Sequence, residues 1–209
     1  LQKINSLNND PECIAIMLNM PLPEGHDSKI AQSSINPRKD VEGANPANIG
    51  NIVHGNMSLI PCTAKATMAL IHNVCNDLKG KVVTVVGAGD VVGKPITILL
   101  MREEATVIST NIHTLDLKKH LFDADIVVAA AGVPELIKSH MIKKNSVVID
   151  VGINRSKGLE GTVKIVGDVD QNDVLPVVKA LSPVPGGVGP VTVAMLLENV
   201  IEAAENSLK

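Results

Sequence analysis

Aromatic residues are almost missing from this chain: 209 residues hold no tryptophan, no tyrosine and one phenylalanine, Phe122. A core of this size must then be packed with Val, Ile, Leu, Met and Ala, and hardly any ring is left to stack on a flat heterocycle. Cysteine is scarce and odd in number. Cys13, Cys62 and Cys75 lack CxxC spacing, which excludes a zinc ribbon and a disulfide framework and points to reduced thiols. No apolar run reaches the ~18 residues of a membrane span. Charge of one sign is also absent: the formal net charge is −3, with no bias toward nucleic acid or an anionic membrane. Asp168 and Asp170 lack further hard ligands, and His54, His72 and His140 share no ligand spacing, so no metal is expected. Leu1 stands where an initiator Met would, and no apolar h-region follows it. The helical pattern around Ile4 and Leu7 runs directly into an apolar segment, Cys13 to Leu18. The chain therefore reads as part of a longer polypeptide.

What the chain does have is concentrated near its end. Between Pro183 and Val191 lie three prolines and three glycines, in the run Ser182-Pro-Val-Pro-Gly-Gly-Val-Gly-Pro-Val-Thr-Val193. Prolines fix φ and glycines admit close approach, so the run specifies a stiff, shaped loop. An amphipathic pattern from Ala194 to Ala204 follows, which places free amides at a helix N-terminus, where anions and carbonyls bind.

Upstream, Cys13 to Leu18 reads as a buried strand and Ser28 to Ile35 as a short helix. A polar loop covers Asn36 to Gly43, and Thr63 is a candidate cap for a helix over 64–78. From Lys81 strands and short helices alternate. Strands are expected over 82–86, 105–109, 125–130 and 146–150, with helices over 95–103, 115–122 and 138–142. Gly158 to Gly161 reads as a hairpin before a strand over 163–166. This alternation predicts parallel βαβ units: an α/β chain with a doubly wound, Rossmann-type sheet that binds ligands at its carboxyl edge.

The turn Gly87-Ala-Gly-Asp-Val-Val-Gly93 joins the first of these strands to its helix, as a dinucleotide fingerprint requires, with its third glycine one residue late. The next strand ends Ser109-Thr-Asn-Ile-His-Thr114. It offers neither the carboxylate that binds the ribose of NAD nor the Arg or Lys that suits NADP, so the choice between them stays open.

Four segments in this order, around a glycine turn ending Val-Gly-Lys-Pro, carry a resemblance: Met20-Pro-Leu-Pro23, Lys39-Asp-Val-Glu-Gly43, Pro61-Cys-Thr63 and the run Ser182 to Val193. Asp150-Val-Gly-Ile-Asn154 and Val166-Gly-Asp-Val169 add to it. From about residue 4 to its end the chain resembles the bifunctional methylenetetrahydrofolate dehydrogenase / methenyltetrahydrofolate cyclohydrolase family, as an N-terminally truncated, diverged member. The resemblance implies two reactions of folate one-carbon metabolism: oxidation of 5,10-methylenetetrahydrofolate with NADP, or NAD in some members, then hydrolysis of the methenyl product to 10-formyltetrahydrofolate. It implies an oxidoreductase and hydrolase in one multifunctional enzyme, feeding purine biosynthesis, in a homodimer.

The carry-over is uneven. The family's Tyr-x-x-x-Lys segment, which supplies the lysine of the second step, does not occur in these residues. The family's glutamine falls on Asn19 and its pterin aspartate on Glu42, a carboxylate displaced by ~1 Å, which can cost ~100-fold in a positioned site. Asn19 and Glu42 are the catalytic candidates. Leu18, Asn19, Met20 and Glu42, with Pro185, Gly186, Gly187, Val188, Gly189, Pro190, Val191, Thr192 and Val193, are the implied folate-binding set. The family's Gly-Arg-Ser falls on Gly87, Ala88 and Gly89, and its serine at the second strand end on Ile112. The implied nucleotide set is therefore Gly87, Ala88, Gly89, Gly93, Ile112, His113, Thr114 and Ile153. Residues 1–63 are expected to form part of a folate-binding α/β domain, 64–181 the nucleotide domain, and 182–209 the folate loop and a helix returning to the first domain. The lost arginine, amide length and lysine motivate an alternative, a catalytically impaired descendant serving as a structural or interaction module. Cytoplasm is the expected compartment, with the mitochondrial matrix as the alternative. Gly187→Val is expected to abolish folate binding while leaving the fold largely intact, since a β-branched side chain disfavours the positive φ expected at Gly187.

Overall fold

The computed structural model describes residues 1–157 and 163–208; the expected hairpin at Gly158–Gly161 lies outside them. The chain divides into two compact units, one of Leu1–Cys62 with Thr192–Lys209, the other of Thr63–Val191. The run at 182–191 thus groups with the nucleotide segment, and only the helix beyond it belongs with the first 62 residues.

The second unit is built on a five-stranded sheet. Its strands are β1 (Val82–Val86), β2 (Thr106–Thr110), β3 (Ile126–Ala129), β4 (Val147–Asp150) and β7 (Ala180–Leu181), in the order β2-β1-β3-β4-β7. All four pairings are parallel. The order reverses at β1, so the crevice between the carboxyl ends of β1 and β3 is the switch point of the sheet. β7 was not read from the sequence because two residues carry no period. β5 (Asn154–Lys157) and β6 (Val163–Val166) form a separate antiparallel pair.

The crossovers are α5 (Gly93–Arg102), α6 (Leu117–Leu121), a single 3-10 turn at Ser139–Met141, and α7 (Gln171–Val174). Asp116 and Asp170 cap α6 and α7 by accepting the N–H of Lys119 and Asp173. α4 (Cys62–Val74) starts one residue before the proposed cap, so Thr63 lies inside the helix and caps nothing. The sheet core is chiefly aliphatic: Val83, Val85, Val127, Val128, Val148 and Ala129 are fully buried, with Thr84 among them. Each buried Val contributes about 1.5–3 kcal/mol, which is how the fold dispenses with rings. Phe122 itself is 55% exposed.

The first unit contains α1 (Gln2–Asn9), α2 (Ser28–Ser34), α3 (Pro46–His54) and most of α8 (Val188–Ser207). Asp27 caps α2 through the N–H groups of Lys29 and Ile30. Asn45 caps α3, with Pro46 at its first position and Gly55 closing it at φ 89°. The expected strand over 13–18 is reduced to one parallel bridge between Ile16 and Asp40. Only Ile16 of that segment is buried, while Ile14 and Met17 face outward. One such residue with one backbone bond, Ile16 N–H to Lys39 C=O at 2.6 Å, does not make a ladder. α8 packs Leu196, Val200 and Ala203 on Val41 and Leu59. No helix of the described residues is long and apolar enough to cross a membrane.

Candidate active site

In the first unit the implied folate residues are Leu18, Asn19, Met20 and Glu42, with Thr192 and Val193 at the start of the returning segment. The Leu18 N–H lies near enough to the Glu42 carboxylate to favour its charge. Burial pushes the Glu42 carboxyl above the ordinary range and the charge of Asp40 adds to this, while the Leu18 N–H opposes it. Asp40 is buried and supports the loop, accepting the Asn45 N–H at 2.7 Å and the Asn48 amide at 3.1 Å. Its own carboxyl is raised by burial against those bonds. Gly43 has φ 68°, and a Cβ there would overlap the Leu59–Pro61 backbone, so two loops touch main chain to main chain. Asn19 and Met20 are exposed, and the Met20–Pro21 peptide is cis.

Sequence reasoning missed the residue that ties this loop down. Asn199, on α8, is fully buried and donates its amide to the carbonyls of Val41 and Ile60, both at 2.9 Å, and to Cys62 Sγ at 3.4 Å. The available signal was a lone polar residue on the apolar side of an amphipathic helix.

In the second unit the Gly87 turn follows β1. Gly87 sits at φ 103°, with its N–H on the Thr110 carbonyl at 3.0 Å. A Cβ on Gly87 would overlap Ala130, and one on Gly93 would overlap the Gly87 carbonyl. Gly89 has open space around it. α5 begins behind Val92 with no side-chain cap. A backbone cradle with open space over its middle glycine and no side chain closing the helix end fits a pyrophosphate. Beside it, at the end of β2, Asn111 folds the next loop: its side chain accepts the His113 N–H at 2.9 Å, and its N–H donates to Thr114 Oγ1 at 3.0 Å. Ile112 is left 94% exposed, and His113 is exposed too. Ile153, after β4, is 70% exposed.

The run Ser182–Val193 is anchored at its first residue. Ser182 Oγ accepts the Asp150 N–H at 2.8 Å and donates to the Asp150 carbonyl at 3.3 Å. The left-handed glycine is Gly186, at φ 108°, not Gly187. Gly187 is required for a different reason: a Cβ there would stand 2.5 Å from the Pro183 carbonyl oxygen. The helix begins earlier than its apolar pattern, at Val188, so Gly189 and Pro190 lie in the first turn of α8. The Val184–Pro185 peptide is cis.

Residues 61–208 match the model of the tetrahydrofolate dehydrogenase/cyclohydrolase NAD(P)-binding domain. The chain is 47% identical over 200 residues to the bifunctional protein FolD 2 of Mesorhizobium japonicum, covering 96% of this chain and 65% of that protein. It is 43% identical over 209 residues to the bifunctional protein FolD of Pelagibacter ubique, covering 100% of this chain and 73% of that one. The chain belongs to the tetrahydrofolate dehydrogenase/cyclohydrolase family. Two solved structures share its fold. The bifunctional FolD methylenetetrahydrofolate dehydrogenase/cyclohydrolase of Campylobacter jejuni gives a TM-score of 0.92 at 40% identity, covering 98% of this chain and 72% of that one. The Trypanosoma brucei FolD, solved with NADP and an inhibitor, gives 0.93 at 36% identity over 100% of this chain and 72% of that one. As a tetrahydrofolate dehydrogenase/cyclohydrolase family member, the chain thus spans 65–73% of the length of these relatives.

Within the family fold a buried acidic pair stands out that sequence reasoning did not join, since it weighed Asp168 only with Asp170, as a metal site. Asp150 and Asp168 are 3% and 0% exposed. Among the described residues no His, Cys, Asp and Glu cluster could hold a metal. The two carboxylates instead take main-chain N–H groups, and burial together with the charge of Asp168 pushes the Asp150 carboxyl up to about 6, against bonds from the amides of Asp168, Val169 and Gly152.

Proposed function

We propose that the protein works in folate one-carbon metabolism, oxidising 5,10-methylenetetrahydrofolate with NADP and hydrolysing the methenyl product to 10-formyltetrahydrofolate. The observation that carries this is the pairing of an open glycine cradle at the switch point with the rigid Ser182–Val193 run in a member of this family. NADP, when bound, accepts the hydride. Gly87 and Gly93 would shape the turn that receives its pyrophosphate, Ala88 and Gly89 would offer main-chain amides to it, and Ile112, His113 and Thr114 would face its adenosine end. Ile153, apolar and exposed, would meet the nicotinamide end.

Glu42 would anchor the pterin. Its carboxylate is desolvated and crowded by Asp40, with the Leu18 N–H alone favouring its charge, so N–H donors of a pterin relieve a charge that burial disfavours. Leu18, Asn19 and Met20 line the same loop, with Asn19 offering an amide to the pterin side. Pro185 to Val193 would hold folate through the close-packed glycines and the start of α8. Asn19 and Glu42 act on the folate itself, by positioning water and ring. Among the described residues none of the three cysteines is in a disulfide, as a reducing cytoplasm allows, and a homodimer is the proposed assembly.

The test is to supply methylenetetrahydrofolate with NADP and, separately, with NAD, and to follow the absorbance of the methenyl product. Product with NADP supports the reading. Its absence with both nucleotides overturns it in favour of a module that keeps the fold without the reaction.

A further inference from the structure

Asp150 and Asp168 form a reciprocal clasp under the carboxyl edge of the sheet. Asp150 Oδ1 accepts the N–H of Gly152 and of Asp168, each at 3.0 Å, and its Oδ2 accepts that of Val169 at 2.9 Å. Asp168 Oδ2 accepts the N–H of Ala131 at 2.6 Å and of Gly132 at 2.9 Å, and its Oδ1 accepts the Asn154 amide at 2.8 Å. Two glycines make room for this. A Cβ on Gly152 would overlap the Asp168 carboxylate, and one on Gly167 would overlap that of Asp150.

The clasp therefore joins three loops that leave parallel strands or the β5–β6 pair. One is Ala131-Gly132 after β3, whose neighbour Ala130 lies against Gly87. Another is Gly152-Ile153 after β4. The third is Gly167-Asp168-Val169 after β6. A buried carboxylate spent on loop amides is costly to desolvate and is tolerated only when hydrogen bonds compensate it. Besides holding Val169, which packs into the aliphatic core, the clasp fixes where the β3 loop stands at the switch point and where the β4 loop stands beside it.

Resting on the proposed nucleotide reaction, we infer that Asp168 is a positioning residue for NADP: through Ala131, Gly132 and Asn154 it sets the β3 and β4 loops, and with them Ile153, against the nucleotide. Asp168 touches no ligand itself. Bound NADPH is read by the fluorescence of its own reduced nicotinamide ring, excited where protein side chains do not absorb.

NADPH is titrated into the parent protein and into Asp168→Ala and Asp168→Asn, below the melting temperature of each. The Ala variant leaves the Ala131 and Gly132 amides unpaired and binds NADPH about ten-fold more weakly. The Asn variant keeps an acceptor on those amides, because Asn154 can rotate its carboxamide to meet the new side chain, and it binds within about three-fold of the parent. Should Asp168→Ala not fold, Asn154→Ala loosens the same carboxylate and weakens NADPH by about three-fold or more. A folded Ala variant with parental affinity and a lowered melting temperature means a purely structural carboxylate and overturns the inference. So does an Asn variant as weak as the Ala one. A parent that binds no NADPH overturns the nucleotide reading itself.

Discussion

Gly93 lies directly on the carbonyl of Gly87, so close that no side chain fits between them. This contact closes the turn between β1 and α5 and is the reason for the third glycine of the fingerprint, whatever its spacing. Gly93→Ala must push the turn open. The variant is expected to lose NADPH binding by about ten-fold or more and to melt several degrees lower, as fluorescence titration and a thermal scan will report. Gly89→Ala, in open space, leaves the melting temperature nearly unchanged.

The glycines of the folate run separate in the same way. Gly186→Ala forces a side chain into the left-handed region and costs about 1–2 kcal/mol. Gly187→Ala costs by collision with the Pro183 carbonyl, not by φ. Gly189→Ala meets nothing within 4 Å and lies in the first turn of α8, so it gains up to about 1 kcal/mol. Urea unfolding of the three variants orders them, and a destabilised Gly189→Ala would contradict the assignment.

The acid side of the stability curve carries the mark of Asp150. Its carboxyl titrates near 6 in the folded chain and near 3.8 when unfolded, so the protonated folded form is favoured. That contribution is fully present below pH ~3.8 and is lost as pH rises through about 6, to the order of 3 kcal/mol. Asp125 and Asp170, held low by Lys143 and Lys138, run the opposite way and lose their contribution as pH falls. Asp150→Asn removes the first term only. Its unfolding free energy, measured by urea at pH steps from 4 to 7, should rise more with pH than that of the parent; identical slopes would contradict the account.

Asn199→Ala leaves two buried carbonyls, those of Val41 and Ile60, without their donor. About 2–4 kcal/mol of stability should be lost, with folate binding weakened because Val41 adjoins Glu42. Asn199→Asp brings an acceptor to the same carbonyls and should be worse still. Equal urea midpoints for the parent and Asn199→Ala would remove Asn199 from the support of the loop.

Much of the second unit was legible in the sequence because β1, β3 and β4 are short, largely apolar runs with a glycine soon after each, at Gly87, Gly132 and Gly152. The ends of helices were less so: α8 starts at Val188 because proline and glycine fit a first turn, although the apolar period begins only at Ala194. The segment at Cys13–Leu18 misled, since apolarity marks a strand only where a ladder partner exists, and Asp40 supplies a single bridge. The local glycine rule misplaced the strained position by one residue, at Gly187 instead of Gly186, because φ is set by the whole run. Asp150, Asp168 and Asn199 act through partners up to 158 residues away, and no local pattern encodes such pairs.

The most direct test follows the hydride. 5,10-Methylenetetrahydrofolate deuterated at its methylene carbon is incubated with the protein and NADP, and the nucleotide is recovered for mass spectrometry. Deuterium in NADPH, in step with methenyl product, is the predicted result. Unlabelled nucleotide under conditions where NADPH binds would contradict the assignment of this chain to methylenetetrahydrofolate oxidation.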